Sequence, residues 1–278
     1  LFNVQCSLLI DKPDSIMEHR LLNLITALSS TSLAIAFLTI TPQSIAAREW
    51  SEIESQGELK VAVKNNLRPL GFTNETNDLV GLEIDIARKL AAELLGDSAA
   101  IAFSPVKNQA RLQVILQGEV DLAIARITVT TPRSRIVDFS PYYYLDGTGI
   151  VTKNQQIKNV DSVALRRIAV LNNSATIAVI QNRLPDATLV GVDSYAAALE
   201  LMETNQVDAF AGDRSTLTGL TQEYPDYQLL PERLSGAALA VVMPKGLQYQ
   251  ELRTKVNRAI VGWKKSGWLQ ERIEYWGL

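Results

Sequence analysis

The strongest candidate for ligand chemistry is Arg133, which follows a predicted helix start at Thr131-Pro132. A guanidinium at this place can bind a carboxylate through two parallel, charge-assisted hydrogen bonds, which a lysine cannot reproduce. The alternative is a solvated surface arginine beside Arg135. The spacing alone supports both interpretations equally.

Further candidates combine charge or backbone donors with the ends of predicted elements. Lys64 follows the first predicted strand and is either a ligand-facing cation or a solvated strand-end lysine. Arg126 follows another strand and either faces a ligand or folds outward as a salt-bridge partner. Residues 173–176 precede and begin a helix, where free N–H groups suit an anion, although Ser and Thr are also ordinary caps. Asp213 ends a strand and is equally suited to cap the next helix.

Composition excludes several functional classes. The net charge of −3 and the lack of a basic run argue against nucleic-acid binding. The single His19 and the single Cys6 both lie in a segment that we expect to be removed. The mature chain would then lack the groups for Ser-His or Cys-His catalysis, for His or Cys metal sites and for redox motifs. We therefore predict no enzyme activity, no metal and no cofactor.

The N-terminal region has the order of an export signal. A charged start follows Met17, the apolar stretch is densest at 33–38, Pro42 ends it, and small residues at 44–47 offer a cleavage site. We predict that residues 1–47 form the signal region, that 1–16 precede the natural start, and that the mature chain begins at about residue 47 or 48. The alternative is an uncleaved membrane anchor, although polar residues interrupt the segment.

Short β-rich runs alternate with amphipathic stretches, which is typical of an α/β fold. The same order begins again after Lys153. The predicted strands cover residues 59–63, 101–103, 122–124, 167–170, 188–190, 208–211 and 239–243. The predicted helices cover residues 82–94, 111–117, 176–182 and 195–204, with others beginning at 131 and near 214 and two at the C-terminus.

The repeated order predicts two similar lobes around a cleft. They are joined by two hinge crossovers, near 143–147 and near 235–239. Helix N-termini and strand ends would point into the cleft, which suits a small charged ligand. Lobe 1 is predicted to consist of residues 48–145 and 240–278, and lobe 2 of residues 146–239.

Six segments in order carry a family resemblance. They are GLEIDIA at 81–87, LQGEVDL at 116–122, ITVTTPRSR at 127–135, VDFSPYY at 137–143, VDAF with GD at 207–213, and YWG at 275–277. From residue 57 onwards the chain resembles the polar amino-acid-binding proteins of ABC transporters. This resemblance implies the two-lobed type II periplasmic-binding-protein clamp.

The resemblance also implies roles for individual residues. Arg133 would receive the α-carboxylate of the ligand, helped by the backbone N–H and hydroxyl of Thr128, and Asp213 would hold the α-ammonium group. A turn in lobe 2 would share the carboxylate, although this chain lacks the glycine that the family usually has there. The residues of this turn are Ser174, Ala175 and Thr176.

Two cations bear on ligand choice. Lys64 stands where relatives that recognise glutamine or basic side chains have Asp, and where relatives that recognise glutamate carry a basic residue. A cation there favours an acidic side chain and repels a basic one, and Arg126 would add to it. Leu67 and Asn108 stand at positions that often hold stacking aromatics, so we expect no aromatic sandwich. The tyrosines at 142–144 are expected to pack at the hinge first and to contact ligand second.

The expected function is the binding of an L-amino acid in the periplasm and its delivery to the membrane permease of an ABC transporter. Acidic ligands rank first, neutral polar ones second and basic ones last. The protein is expected to act as a monomer. The alternatives are an exported dehydratase-type enzyme built on the same clamp and a ligand-sensing domain, because a fold does not fix a function.

Overall fold

A computed structural model describes residues 47–278 of the chain. The predicted signal region up to residue 46, including its apolar run, lies outside the described residues. Within residues 47–278, no helix is both long enough and apolar enough to cross a membrane.

The elements alternate as expected for an α/β chain. The strands are β1 (Leu59–Val63), β2 (Asn66–Leu67), β3 (Gly71–Thr73), β4 (Leu79–Val80), β5 (Ile101–Pro105), β6 (Leu122–Ile124), β7 (Asp138–Phe139), β8 (Tyr144–Asp146), β9 (Thr148–Thr152), β10 (Arg167–Leu171), β11 (Thr188–Val192), β12 (Ala209–Asp213), β13 (Gln228–Leu229), β14 (Ala237–Leu239) and β15 (Val242–Met243). The helices are α1 (Trp50–Gln56), α2 (Leu82–Leu95), α3 (Gln113–Leu116), α4 (Thr131–Ser134), α5 (Thr176–Arg183), α6 (Tyr195–Glu203), α7 (Arg214–Glu223), α8 (Gln250–Ser266) and α9 (Trp268–Tyr275).

Ten of the strands form two five-stranded sheets with the same internal pattern, and β2, β3 and β4 form a separate three-stranded sheet. In the first sheet β1 lies between β5 and β6 and is parallel to both, while β15 and then β7 extend the sheet in antiparallel fashion. In the second sheet β10 lies between β11 and β12 and is parallel to both, followed by antiparallel β9 and β13. Parallel neighbours need helical crossovers, which α2, α5 and α6 provide.

Both sheets bury both faces, which explains the consecutive apolar residues at 61–63 in β1 and at 168–171 in β10. In the first sheet, Val61 packs with α2 and α8, whereas Ala62 belongs to a separate cluster on the other face. In the second sheet, Ile168 packs with α5, whereas Ala169 packs with α6 and α7. The alternation along each strand therefore distributes apolar side chains to two layers of helices.

Two of the sequence motifs have structural roles. Gly81 precedes α2 with φ 129°, and a Cβ at this position would lie 2.3 Å from the carbonyl oxygen of Leu70. Asp121 is 1% exposed and accepts hydrogen bonds from the backbone N–H of Lys60 (2.7 Å) and from Arg48 Nε (2.9 Å). Gly81 thus allows the start of α2 to lie close to the backbone at Leu70, and Asp121 links β1 to the segment before α1.

The two predicted crossovers are present as β8 and β14, which form a two-stranded antiparallel ribbon. A single strand over 239–243 was wrong. The chain leaves the ribbon after Leu239, where its partner is β8, and joins the first sheet at Val242, where its partner is β6. The ladder is interrupted because the partner strand changes. The residue boundaries of the two lobes stay a prediction.

Two helix starts also differ from expectation. Residues 108–112 form turns, so that α3 begins at Gln113 rather than at Arg111. The Nε of Arg111 donates to the carbonyl oxygen of Asn108 within this turn (2.9 Å). In α4 the N-cap is Thr130, not Thr131, and its extended backbone (φ −141°) marks the helix boundary.

Candidate functional site

Three of the four charged residues identified from the sequence lie at the carboxyl ends of parallel strands, whereas Arg133 lies in α4. Lys64 follows β1 directly, and Arg126 comes two residues after β6. In the second sheet, the turn at 172–175 follows β10, and Asp213 is the last residue of β12. The carboxyl ends of parallel strands lie at one edge of a sheet, which is the usual place for ligands in open α/β folds.

A cavity of about 270 Å³ lies between these two edges. Its first-sheet side includes both predicted cations, Lys64 and Arg126, and its second-sheet side includes one aromatic and one hydroxyl residue. The lining residues are Lys64, Asn66, Leu67, Asn108, Arg126, Tyr195 and Thr216. A second cavity of about 250 Å³ shares Asn66, Leu67, Tyr195 and Thr216 and continues towards the Arg68–Glu223 pair.

Lys64 is a buried cation and not a solvated strand-end lysine. Only 6% of the residue is exposed, and its Nζ donates to the carbonyl oxygen of Val106 at 2.8 Å. Burial lowers the pKa of the Lys64 ammonium, and the positive charges of Arg111 and Arg126 lower it further, against the opposing effect of Glu83. An anionic ligand in the cavity would counter this lowering of the Lys64 pKa by supplying a negative charge.

The backbone of Arg126 is held on both sides. It is left-handed (φ 50°), a conformation that a bulky residue seldom adopts. Its N–H donates to Glu83 Oε1 at 2.6 Å, and its carbonyl oxygen accepts from Arg111 Nη1 at 2.6 Å. Glu83 has no exposed surface and also accepts from the hydroxyl of Tyr143 at 2.6 Å. The neighbouring structure therefore maintains the unusual backbone angle.

The guanidinium of Arg126 crosses to the second sheet. It forms an ion pair with Asp213, and its Nε lies 3.7 Å from Asp146 Oδ2. Asp146 is 1% exposed and also accepts from the backbone N–H and the hydroxyl of Ser215. Burial lowers the pKa of Arg126, but Asp213 and Asp146 outweigh it, so that the pKa is raised overall. Arg126 thus faces the cavity and is a salt-bridge partner at the same time, not an outward-folded residue.

Asp213 occupies the N-cap position of α7, but its side chain makes no capping hydrogen bond. The carboxylate instead binds Arg126, and 38% of the side chain is exposed. A helix cap was the alternative role for Asp213; the residue stands at that position, but its side chain does not cap α7, and its contact with a ligand stays a prediction.

Arg133 and Thr128 lie beside the cavity but do not line it. Arg133 is half-buried, and its Nη1 donates to the carbonyl oxygen of Thr128 at 2.8 Å. Thr128 pairs with Leu239 next to the crossover ribbon. Burial lowers the pKa of Arg111, and the charges of Arg126 and then Arg133 lower it further. Arg133 therefore belongs to the same cationic group, although its contact with a ligand stays a prediction.

The turn before α5 has a conformation that compensates for the missing glycine. Asn173 takes the left-handed angle (φ 58°) that glycine usually supplies, and Asn tolerates it better than most residues. Ser174 has a buried hydroxyl without a hydrogen-bond partner in the described chain. Thr176 is buried at the first position of α5, whereas Ala175 is exposed. None of these three predicted ligand contacts lines the 270 Å³ cavity.

Several residues of the site were not identified from the sequence. The GLEIDIA motif by itself indicates no role for Glu83, and the sequence predicts Arg111 at the start of a helix. Asp146 was read only as part of the crossover. Tyr195 and Thr216 are the contribution of α6 and α7 to the cavity. A signal existed for Glu83 alone, since this carboxylate precedes Ala87 and Leu90 at helical spacing and so falls on the predicted apolar face of the helix.

Two of the three tyrosines at the crossover pack as expected, and Tyr142 does not. Tyr143 and Tyr144 belong to the first-sheet core, and Tyr142 is 47% exposed. Leu67 and Asn108 do line the cavity, at positions where aromatic residues were considered, and Tyr195 is the aromatic residue among its lining side chains. No group of three or more His, Cys, Asp or Glu in residues 47–278 is placed to hold a metal ion.

The two sheets, their crossover ribbon and the cavity between them define the type II periplasmic-binding-protein clamp. A solved structure with this fold, titled "Ancestral Cationic Amino Acid Solute Binding Protein (AncCDT-1)", superimposes with a TM-score of 0.69 at 24% identity and covers 82% of this chain and 98% of that one. Residues 59–278 match the family model of bacterial extracellular solute-binding proteins, family 3. The chain belongs to this family.

Curated relatives are amino-acid-binding proteins of ABC transporters. The chain is 26% identical to the ABC transporter glutamine-binding protein GlnH of Bacillus subtilis (strain 168) over 227 residues, which are 81% of this chain and 82% of the relative. It is 31% identical to the glutamine-binding protein of Geobacillus stearothermophilus over 198 residues, or 70% and 76% of the two chains.

Proposed function

We propose that this protein binds an L-amino acid with an acidic side chain and delivers it to an ABC permease. The observation that carries the proposal is the cationic lining of the cavity, where buried Lys64 and Arg126 both face the space between the sheets. Arg111 and Arg133 add positive charge close by. A ligand with a net negative charge gains from this field, whereas a basic side chain would be desolvated beside like charges.

Neutral polar ligands rank second. Lys64 can donate to an amide oxygen as well as to a carboxylate, and the two curated relatives named above are glutamine-binding proteins by name. A charge-assisted bond contributes about 1.5–3 kcal/mol, roughly twice the value for a neutral pair. This difference favours glutamate and aspartate over glutamine, and basic amino acids remain last.

Ligand binding would select a closed arrangement of the two lobes, and the permease subunits would recognise that arrangement. Surfaces from both sheets already meet near the cleft. Arg68 lies 3.6 Å from Glu223 of α7, and Gln222 Nε2 donates to the carbonyl oxygen of Trp276 at 2.8 Å. We propose lobe boundaries at 145/146 and 239/240, a monomeric protein and no role for nucleic acid.

Export to the periplasm is part of the proposal. Arg48 is 9% exposed and is bound to Asp121, so removal of the signal should leave Arg48 on the mature chain. A cut after Ala46 or Ala47 satisfies this requirement. N-terminal sequencing of the exported protein tests it, and recovery of a membrane-anchored chain with an intact apolar segment would contradict it.

We propose binding without catalysis. A dehydratase-type enzyme on this fold would need a proton donor that reaches the ligand. Glu83 is a carboxyl group whose pKa is raised by burial, but it has no exposed surface. After incubation of the protein with each amino acid that it binds, mass spectrometry should find that amino acid unchanged. Any converted product would contradict the proposal.

The decisive test is a thermal-shift screen of the mature protein against the twenty amino acids, followed by calorimetry. We expect the largest stabilisation with glutamate or aspartate, since a ligand that binds only the folded state raises its stability. Tight binding of arginine or lysine without binding of glutamate would overturn the ligand ranking. Absence of any stabilisation would overturn amino-acid binding itself.

A further inference from the structure

We propose that Arg126 is a specificity-determining residue that neutralises Asp213 from within the protein, so that the amino group of a ligand becomes dispensable. The inference rests on the proposed site, in which Asp213 would hold the ammonium group of an amino acid. Ligands that lack a charged amino group, such as dicarboxylic acids, then bind in the same cavity.

The guanidinium of Arg126 takes the place beside Asp213 that the ammonium group of a ligand would otherwise take. The Arg126 guanidinium extends from the end of the first sheet and contacts the carboxylate at the end of the second. Asp213 has no capping bond to α7 that would compete with this pair. An incoming ammonium group would have to share Asp213 with a guanidinium, and two adjacent cations repel each other.

Displacement of Arg126 by the ligand is disfavoured by its other contacts. Its backbone is held by Glu83 and by Arg111, and its guanidinium also lies near Asp146, which is 1% exposed. If Arg126 turned away, Asp146 would keep its bonds from Ser215 but lose a neighbouring cation. A buried carboxylate without a cation is costly, so Arg126 is expected to stay in place.

The consequence concerns both charges of the ligand. Arg126, Lys64 and Arg111 remain able to attract carboxylates, because the pair with Asp213 leaves the cationic group in excess. The ammonium group, in contrast, gains little at an acid that is already paired. Removal of the α-amino group from a ligand should therefore change its affinity much less than in a site with a free acid.

The test compares an amino acid with its analogue that lacks the amino group, by calorimetry on the mature protein. For glutamate the analogue is glutarate; if the wild-type protein binds another amino acid best, the corresponding analogue of that ligand is used. We expect the two affinities to differ by less than about tenfold in the wild-type protein, and by more than about a hundredfold in Arg126→Gly, where Asp213 is free to bind ammonium. Glycine accepts the left-handed angle at 126 without strain.

Asp213→Asn is a second test that does not depend on the folding of Arg126→Gly. Asp213→Asn should leave the ratio of the two affinities close to the wild-type ratio. A ratio that falls markedly in Asp213→Asn relative to the wild-type protein would overturn the inference. Arg135 is an exposed arginine two residues after Arg133. The substitution Arg135→Ala is the matched control and should alter neither affinity. A wild-type ratio above about tenfold overturns the inference while leaving amino-acid binding intact; lack of binding of any amino acid overturns the proposed function instead.

Discussion

The carboxyl ends of the two sheets face the same cavity, but their polar residues are held in different ways. At the first sheet, Lys64 is tied to the carbonyl oxygen of Val106, and Arg126 is tied through its backbone to Glu83. At the second sheet, Asp213 is 38% exposed on its side chain, and the hydroxyl of Ser174 has no partner in the described residues.

The two sheets would therefore contribute to ligand binding in different ways. Cations that are fixed before a ligand arrives need no reorganisation when it binds, so the first sheet would determine which charge is accepted. The less constrained groups of the second sheet would complete the site when the lobes approach.

The largest effect is expected at the first sheet from Arg133→Ala. Loss of the guanidinium would leave a ligand carboxylate short of its partner, at about 3–5 kcal/mol, or roughly two to four decades in affinity. Calorimetry with glutamate measures the loss. Arg135→Ala removes an exposed arginine from the same segment and should bind like wild type. If Arg133→Ala also binds like wild type, the carboxylate is held elsewhere.

Reversal of the charge at Lys64 should change both affinity and selectivity. In Lys64→Asp, a carboxylate faces the ligand side chain, so glutamate affinity should fall by about two decades, from the loss of one charge-assisted bond and the gain of repulsion. Arginine affinity should rise in the same variant. The control Lys64→Met removes the charge while keeping an unbranched side chain, and it should give an intermediate loss. Unchanged selectivity in Lys64→Asp would place the specificity outside the first sheet.

Closure through the second sheet can be tested with a glycine in the middle of α7. A Cβ at Gly219 would lie 2.2 Å from the carbonyl oxygen of Arg68, which belongs to the loop between β2 and β3. Gly219→Ala should keep the helix intact, because alanine is favoured there by about 1 kcal/mol, but it should hinder the approach of the two lobes. We expect about a tenfold loss in affinity, from a steric cost of roughly 1.4 kcal/mol, and a larger radius of gyration with saturating ligand in X-ray scattering.

Gly262 in α8 is the matched control for this substitution. No atom lies within 4 Å of a Cβ built there, so Gly262→Ala should bind normally and be slightly more stable. Equal behaviour of the two alanine variants would show that the contact between Arg68 and α7 plays no part in binding.

The smallest effect is a dependence on pH. The pKa of Lys64 is lowered by burial and by neighbouring arginines, and a bound anion would raise it again. Affinity for glutamate is therefore full below the pKa of the free protein and falls as the pH rises through it, beginning below the ordinary value of about 10.4. Calorimetry between pH 7 and pH 10 should show a several-fold decline.

Lys64→Arg separates this effect from the titration of the ligand itself. The guanidinium stays charged over the same range, so only the decline that comes from the ligand amino group should remain. Identical pH profiles for the two proteins would mean that Lys64 does not titrate in contact with the ligand.

Much of the architecture follows from local sequence patterns. Apolar residues at helical spacing mark α2, and the short apolar run at β1 marks a strand that is buried on both faces. Turn residues and glycines punctuate these elements, so their order could be predicted together with the two crossovers. The break between β14 and β15 could not, because both pieces are extended and only their different partner strands separate them.

For the site, strand periodicity and residue type are local properties, so the sequence indicates which charged residues stand at the ends of the strands. Lys64 and Arg126, which it singled out, line the cavity, and their contact with a ligand stays a prediction. The pair of Arg126 with Asp213, the hydrogen bond from its backbone to Glu83, and the position of Tyr195 in the lining are visible in the folded structure alone. These contacts join residues far apart in the chain, and the direction of a long side chain depends on partners that only folding brings together.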